Sequence, residues 1–223
     1  MKIRGLIFDL DGTLLDTLDD IAESMNAVLE NHGFPAYPVD AYRYFVGDGM
    51  DTLVERTVPE SWRDSQTLAD CLQEVKILYG SRCSQKTAPY EGIVETLEVL
   101  DKSGIELAVL SNKVHEITVA TVKHFFGDIR FSQVVGAGGR FRKKPDPQAA
   151  QFIASQWNIN CNEILYIGDT MVDMKTAVGA GMHPAGVLWG FRDEKELREN
   201  GAEFILEKPS EICDILNQIN RGI

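Results

Sequence analysis

Ile3-Arg4-Gly5-Leu6-Ile7-Phe8-Asp9-Leu10-Asp11-Gly12-Thr13 opens with a short apolar run and closes on two acidic residues and a turn. A run of that length reads as a buried strand. Residues two apart in a strand point to the same side, so Asp9 and Asp11 address one point at its C-terminal end. Ligands of open parallel sheets bind in that crevice. Two carboxylates held together repel unless a cation or a shared proton relieves them. Their pairing therefore points to chemistry, with one group as nucleophile and the other moving protons. Gly12 permits a tight turn and Thr13 offers a hydroxyl. An Asp-Gly turn with solvated side chains is the bland alternative.

Downstream of this segment the texture is helical. From Thr17 to His32 the apolar residues Leu18, Ile21, Ala22, Met25, Val28 and Leu29 recur at helical spacing, and Gly33 supplies a stop. Further helices are expected around Met50–Thr57 and Ser61–Ser84, with no persuasive strand before Lys86. After Pro89 apolar runs alternate with amphipathic stretches. Strands are expected at Glu106–Leu110, Gln133–Val135, Ile164–Ile167 and Ala185–Leu188. Helices are expected at Gly92–Lys102, His115–Phe125, Pro147–Trp157, Met171–Ala180 and Pro209–Ile219. Alternation at these lengths implies parallel strands joined by helical crossovers, an α/β doubly wound, Rossmann-like sheet. The expected partition is a core of residues 1–14 and 89–223 interrupted by a helical insertion at 15–88.

Three later strand ends carry chemistry of their own. Asp169 and Asp173 follow the apolar strand ending Tyr166-Ile167-Gly168, four apart where a helix begins. Acidic residues there also favour the helix dipole and cap free amides, which is the structural alternative. Since the first pair needs a cation, the second pair supplies the further oxygen ligands that Mg²⁺ prefers. Ser111 closes the strand Leu107-Ala108-Val109-Leu110, and a hydroxyl there donates to a phosphoryl oxygen or simply caps a turn. Asn112 and Lys113 follow it. Lys144 precedes Pro145, which disfavours helical geometry at the lysine and fixes it in a loop just before a helix. It can neutralise phosphoryl oxygens and Asp9, or belong to a solvated basic cluster with Arg140 and Arg142.

The 223 residues carry a formal charge of −12, with 44% hydrophobic and 25% charged residues. That balance argues against general affinity for nucleic acid. No apolar run approaches the roughly 18 residues of a membrane span, and the N-terminal run is too short for a signal peptide. The expectation is a cytoplasmic protein. Cys71, Cys83, Cys161 and Cys213 are scattered without Cys-x-x-Cys spacing and read as reduced thiols. The four histidines fall at no soft-metal spacing either, so an essential metal should be a hard, oxygen-bound one.

Taken together, Asp-x-Asp-Gly-Thr, strand-Ser111, Lys144-Pro145 and Gly168-Asp169-x-x-x-Asp173 resemble the four motifs of the haloacid dehalogenase superfamily. The insertion after the first motif resembles its type 1 cap. Phe8-Asp9-Leu10-Asp11-Gly12-Thr13-Leu14-Leu15-Asp16-Thr17 and Val109-Leu110-Ser111-Asn112-Lys113 are most similar to phosphoglycolate phosphatases. The resemblance implies strand order 5-4-1-2-3. It implies a phosphorylated nucleophile at Asp9, a general acid/base at Asp11, and Ser111 and Lys144 on the phosphoryl oxygens. Mg²⁺ would be held by Asp9, the carbonyl of Asp11 and Asp169, with Asp173 in support. Thr13, Gly49, Arg56 and Asn112 are the candidate substrate-binding residues, Gly49 because Gly47-Asp48-Gly49-Met50 is similar to a loop overhanging the site in those enzymes. Arg56 is equally readable as a surface residue. Dehalogenating members lack an acid at the place of Asp11, because a departing halide needs no proton. Residues 15–88 hold 13 acidic and 6 basic side chains, which suits a small monophosphate better than a polyanion. The expected protein is a monomeric or homodimeric phosphatase of a small phosphorylated metabolite. The alternatives are a β-phosphoglucomutase-like mutase, marked by a need for a sugar bisphosphate, and a silent binding protein, marked by absence of turnover.

Overall fold

A computed structural model describes residues 2–82 and 84–221; Cys83, one of the four cysteines read as thiols, lies outside them. By proximity of their Cα atoms the residues fall into two units, 1–15 with 89–223, and 16–88.

The larger unit is built on β1 (Gly5–Phe8), whose residues are all buried. The chain then passes through β2 (Leu15–Asp16), which pairs with β3 (Ala88–Pro89) as a two-stranded ribbon. Beyond it come α5 (Ile93–Ser103), β4 (Glu106–Val114), α6 (His115–Phe126), β5 (Gln133–Ala137), α7 (Gln148–Trp157), β6 (Ile164–Gly168), α8 (Met171–Ala180), β7 (His183–Val187), α9 (Glu194–Glu199), β8 (Phe204–Leu206) and α10 (Glu211–Arg221). The main sheet has order β5-β4-β1-β6-β7-β8 and all its described pairings are parallel. The five expected strands stand in the order the resemblance implied, and β8 adds a sixth at the edge.

Period-two alternation makes the sheet two-faced. Leu6, Phe8, Val109, Leu165 and Ile167 pack on Ile93 and Leu97 of α5, Val122 of α6 and Ile212 of α10. Ile7, Ala108, Leu110 and Tyr166 pack on Ala150 and Ile153 of α7 and Ala177 of α8. Burying both faces of β1 leaves its C-terminal end as the place where polar side chains emerge.

The inserted unit is the helical cap: α1 (Leu18–Asn31), α2 (Tyr42–Phe45), α3 (Met50–Thr57) and α4 (Ser65–Arg82). Met25, Val28 and Leu29 are buried on one face of α1, as are Cys71, Val75 and Tyr79 on α4, the stripes expected of helices that face one another. Glu74 of α4 accepts from Asn31 Nδ2 at 2.8 Å and lies 3.0 Å from His32 Nε2. Asn26 holds the following loop, accepting from Tyr37 N at 2.9 Å and donating to its carbonyl at 2.8 Å. Asp20 is 2% exposed, and its carboxylate accepts from Lys86 N, Thr87 N and the Thr87 hydroxyl, the last at 2.7 Å.

The sequence reading departs from the structure at several boundaries. β4 continues to Val114 instead of ending at Leu110, with a register irregularity between those residues. Helix α4 begins at Ser65, after Asp64 Oδ1 has accepted from Gln66 N and Thr67 N. α2, α9 and β8 are too short to give a periodic signal.

Candidate active site

In the larger unit the ends of β1 and β6, the start of α8 and the loop before α7 bring Asp9, Asp169, Asp173 and Lys144 together. Asp9 follows β1 and its amide donates to the Ile167 carbonyl of β6 at 2.9 Å, which locks the first motif beside the fourth. Lys144, in the loop before α7, lies 2.7 Å from Asp9 Oδ1 and 2.7 Å from Asp173 Oδ1. Its side chain is 3% exposed. Burial alone would lower the Lys144 pKa, but the charges of Asp173 and Asp9 override it and hold the ammonium well above its ordinary range.

Lys144 is placed by Asn112. Lys144 N donates to Asn112 Oδ1 at 2.8 Å, and Asn112 Nδ2 donates to the Lys144 carbonyl at 3.1 Å. Asn112 stands within the irregular stretch of β4 between Leu110 and Val114, as does Ser111, whose hydroxyl accepts from Lys113 N at 3.1 Å. The lysine expected to be fixed by the loop is fixed by an amide two-point clamp.

Asp169 and Asp173 are brought together by a strand end and a helix start, not by helical spacing. Asp169 precedes the N-cap Thr170, and Asp173 is the third residue of α8. Asp173 Oδ2 accepts from Thr170 N at 3.1 Å and from the Thr170 hydroxyl at 2.8 Å, a capping box. Capping and site chemistry are thus the same contact, since Oδ1 of the same carboxylate faces Lys144. Asp169 is held on both sides: Oδ1 accepts the Thr13 hydroxyl at 3.1 Å and Oδ2 accepts Phe191 N at 2.9 Å. Gly12, at φ +89°, and Gly190 both approach it so closely that a Cβ on either would collide with the Asp169 side chain.

The carboxylates of Asp9, Asp169 and Asp173 each offer an oxygen, and these lie within 4.8 Å of one another. All three groups are buried. Burial, then the charge of Asp173, pushes Asp9 well above the usual carboxylate range, against the opposing pull of Lys144. The same two causes push Asp169 up to about 7. Once ionised, three buried acids with one ammonium among them carry excess negative charge. A hard divalent cation bound by oxygen relieves that excess, so the donor set fits Mg²⁺.

Asp11 is not one of the three clustered carboxylates. Its Oδ1 lies 2.6 Å from Lys113 Nζ, with side-chain exposures of 20% and 6%.

The sequence matches the haloacid dehalogenase-like hydrolase family over residues 6–187. It is 32% identical to the phosphoglycolate phosphatase of Psychrobacter arcticus, over 97% of this chain and 96% of that protein. The chain belongs to the haloacid dehalogenase superfamily. Within it, this protein is a phosphatase of the phosphoglycolate-phosphatase-like group with a helical cap. It is 30% identical to the N-acetylmuramic acid 6-phosphate phosphatase of Pseudomonas aeruginosa, over 98% of this chain and 96% of the other. A crystal structure from Lactobacillus delbrueckii subsp. bulgaricus, provisionally named a phosphoglycolate phosphatase, superimposes with TM-score 0.91 at 28% identity, covering 97% and 99% of the two chains.

Against the superfamily's motif order, Asp9, Lys144, Asp169 and Asp173 converge directly, and Ser111 is buried on the adjoining strand. Two candidate substrate contacts have other partners: the Thr13 hydroxyl is on Asp169 and the Asn112 amide is on Lys144. In the cap unit, Gly49 precedes α3 at φ +93°. Arg56 Nη2 is 2.6 Å from Asp48 Oδ2, and Nη1 donates to the Phe45 carbonyl at 3.0 Å. Sequence reading missed Lys113 as a partner of Asp11, Phe191 as a donor to Asp169, and Trp189, whose indole donates to the Thr13 carbonyl at 2.9 Å. The Trp189-Gly190-Phe191 loop follows a strand end, which was the one available signal. No helix among the described residues is long and apolar enough to cross a membrane.

Proposed function

We propose that this phosphatase hydrolyses 2-phosphoglycolate or a closely similar small phosphate monoester, with Mg²⁺ as its metal. The observation that carries the reading is the convergence of Asp9, Asp169 and Asp173 around Lys144 at one end of a parallel sheet. The names of the similar proteins support a small monoester, and the acidic cap disfavours polyanions.

In this reading an Asp9 oxygen attacks phosphorus in line with the ester oxygen. The phosphorus–ester bond breaks as the new P–O bond forms, and Asp11 donates its proton to the departing alkoxide. Water then attacks the acyl phosphate while Asp11 takes up a proton, releasing phosphate and regenerating Asp9. Lys144 and Ser111 hold the phosphoryl oxygens. Asp9, Asp169 and the Asp11 carbonyl would hold Mg²⁺, with Asp173 supporting, and the ion would supply neutralisation of the charge that builds on the phosphoryl group. Lys144 additionally aims Asp9 and opposes the burial that favours its protonated form, because its ammonium lies within 2.7 Å.

The test is phosphate release from a set of phosphorylated metabolites with Mg²⁺. The expected result is turnover of 2-phosphoglycolate, lost in Asp9→Asn. Turnover of N-acetylmuramic acid 6-phosphate with 2-phosphoglycolate untouched overturns the substrate assignment. A sugar-bisphosphate requirement without net phosphate release overturns the hydrolase in favour of a mutase.

A further inference from the structure

The Asp11 carboxylate must stand beside the ester oxygen in one step and beside water in the next, so its orientation matters as much as its presence. Nothing in the superfamily-like motifs assigned above holds it. Among the described residues Lys113 holds it, with Nζ 2.6 Å from Asp11 Oδ1.

Lys113 is itself a built feature. Its amide donates to the Ser111 hydroxyl at 3.1 Å, and its carbonyl accepts the Thr118 hydroxyl at 3.1 Å. Gly136 of β5 lies so close that a Cβ there would meet the Thr118 hydroxyl and the Lys113 carbonyl at 2.5 and 2.6 Å. The register irregularity of β4 falls across these residues, and a bulge re-aims a side chain. A lysine side chain 6% exposed, reaching across from β4 to the turn after β1, is not a solvated surface charge. Resting on the phosphatase reading, we propose that Lys113 is a positioning residue that fixes the Asp11 carboxylate for proton transfer to the leaving group. It acts through Asp11 and does not itself hold the phosphoryl group, which lies with Lys144 and Ser111.

A positioning role and a merely structural or anion-binding role differ in their dependence on the leaving group. Assistance from an acid matters more for phenol than for 4-nitrophenol, which departs readily without a proton. The experiment compares kcat/KM for phenyl phosphate and 4-nitrophenyl phosphate in the full-length protein with Mg²⁺, for wild type, Lys113→Met, Lys113→Arg, Asp11→Asn and the double variant Asp11→Asn/Lys113→Met. Because kcat/KM reports only steps through the first irreversible one, slow hydrolysis of the acyl phosphate does not mask the effect. Lys113→Met is expected to lose about 100-fold on phenyl phosphate and under about 10-fold on 4-nitrophenyl phosphate. Lys113→Arg regains part of the loss on phenyl phosphate, and the double variant is no worse than Asp11→Asn alone. Equal losses on both esters in Lys113→Met, or an additive loss in the double variant, overturn the proposal. If Asp11→Asn itself shows no such gradient, the general-acid reading fails as well; if only Lys113→Met lacks it, the proposal for Lys113 alone fails. Circular dichroism of each variant separates misfolding from mispositioning, and Lys113→Arg carries the test should Lys113→Met not fold.

Discussion

At Asp169 the environment and the chemistry can be separated by pH. The carboxyl is pushed up to about 7, first by burial and then by Asp173, against an ordinary value near 4. A carboxyl that holds its proton more tightly when folded contributes stability in full below about pH 4. It loses that contribution as pH rises towards 7. In chelator, Asp169→Asn is therefore expected to melt at an increasingly higher temperature than wild type as pH goes from 4 to 7, a difference on the order of 3 kcal/mol at the upper end. Mg²⁺ should reverse the ranking by stabilising wild type alone. Calorimetry across that range checks both, and a pH-independent difference would contradict the burial argument.

Among elements, the tightest constraint is the turn after β1. Gly12 has φ +89° and no room for a side chain against Asp169 and Phe191, so Gly12→Ala combines a left-handed backbone cost with a steric one. The expected outcome is a loss of about 2 kcal/mol or more in urea unfolding and a fall in Mg²⁺ affinity by titration calorimetry; unchanged affinity would count against the turn as the setting for Asp169. In the cap unit, Asp20 ties α1 to Lys86 and Thr87. Asp20→Ala strands the buried Thr87 amide and hydroxyl and the part-buried Lys86 amide, with an expected cost of about 2–4 kcal/mol. Loss of protection at the Thr87 amide in hydrogen exchange would localise that cost, whereas unaltered exchange there would assign it elsewhere.

The whole chain carries −12, and its substrates are anions. Long-range repulsion is screened as the Debye length shortens to about 8 Å at physiological ionic strength. Raising KCl from a few millimolar to that level at saturating Mg²⁺ is expected to raise kcat/KM about twofold. A fall instead would mean that a locally positive approach outweighs the net charge.

Binary pattern alone determined the doubly wound core and its helical insertion, because burying both faces of a parallel strand forces continuous apolar runs that no other architecture explains so simply. It likewise pointed to Asp9 and Asp169 as strand-end polar residues with one crevice in which to emerge, and the structure brings their carboxylate oxygens within 4.8 Å. β8 and α9 lay below the length at which periodicity registers, and the extension of β4 through Ser111, Asn112 and Lys113 was hidden by its irregular register. Partnerships between distant segments were decided only by the tertiary structure: Asn112 with the Lys144 backbone, Thr13 and Phe191 with Asp169, Lys113 with Asp11. A hydrogen bond spans about 3 Å, while the residues joined here stand up to 156 apart in the chain. No local pattern encodes that distance; packing on both faces of the sheet does.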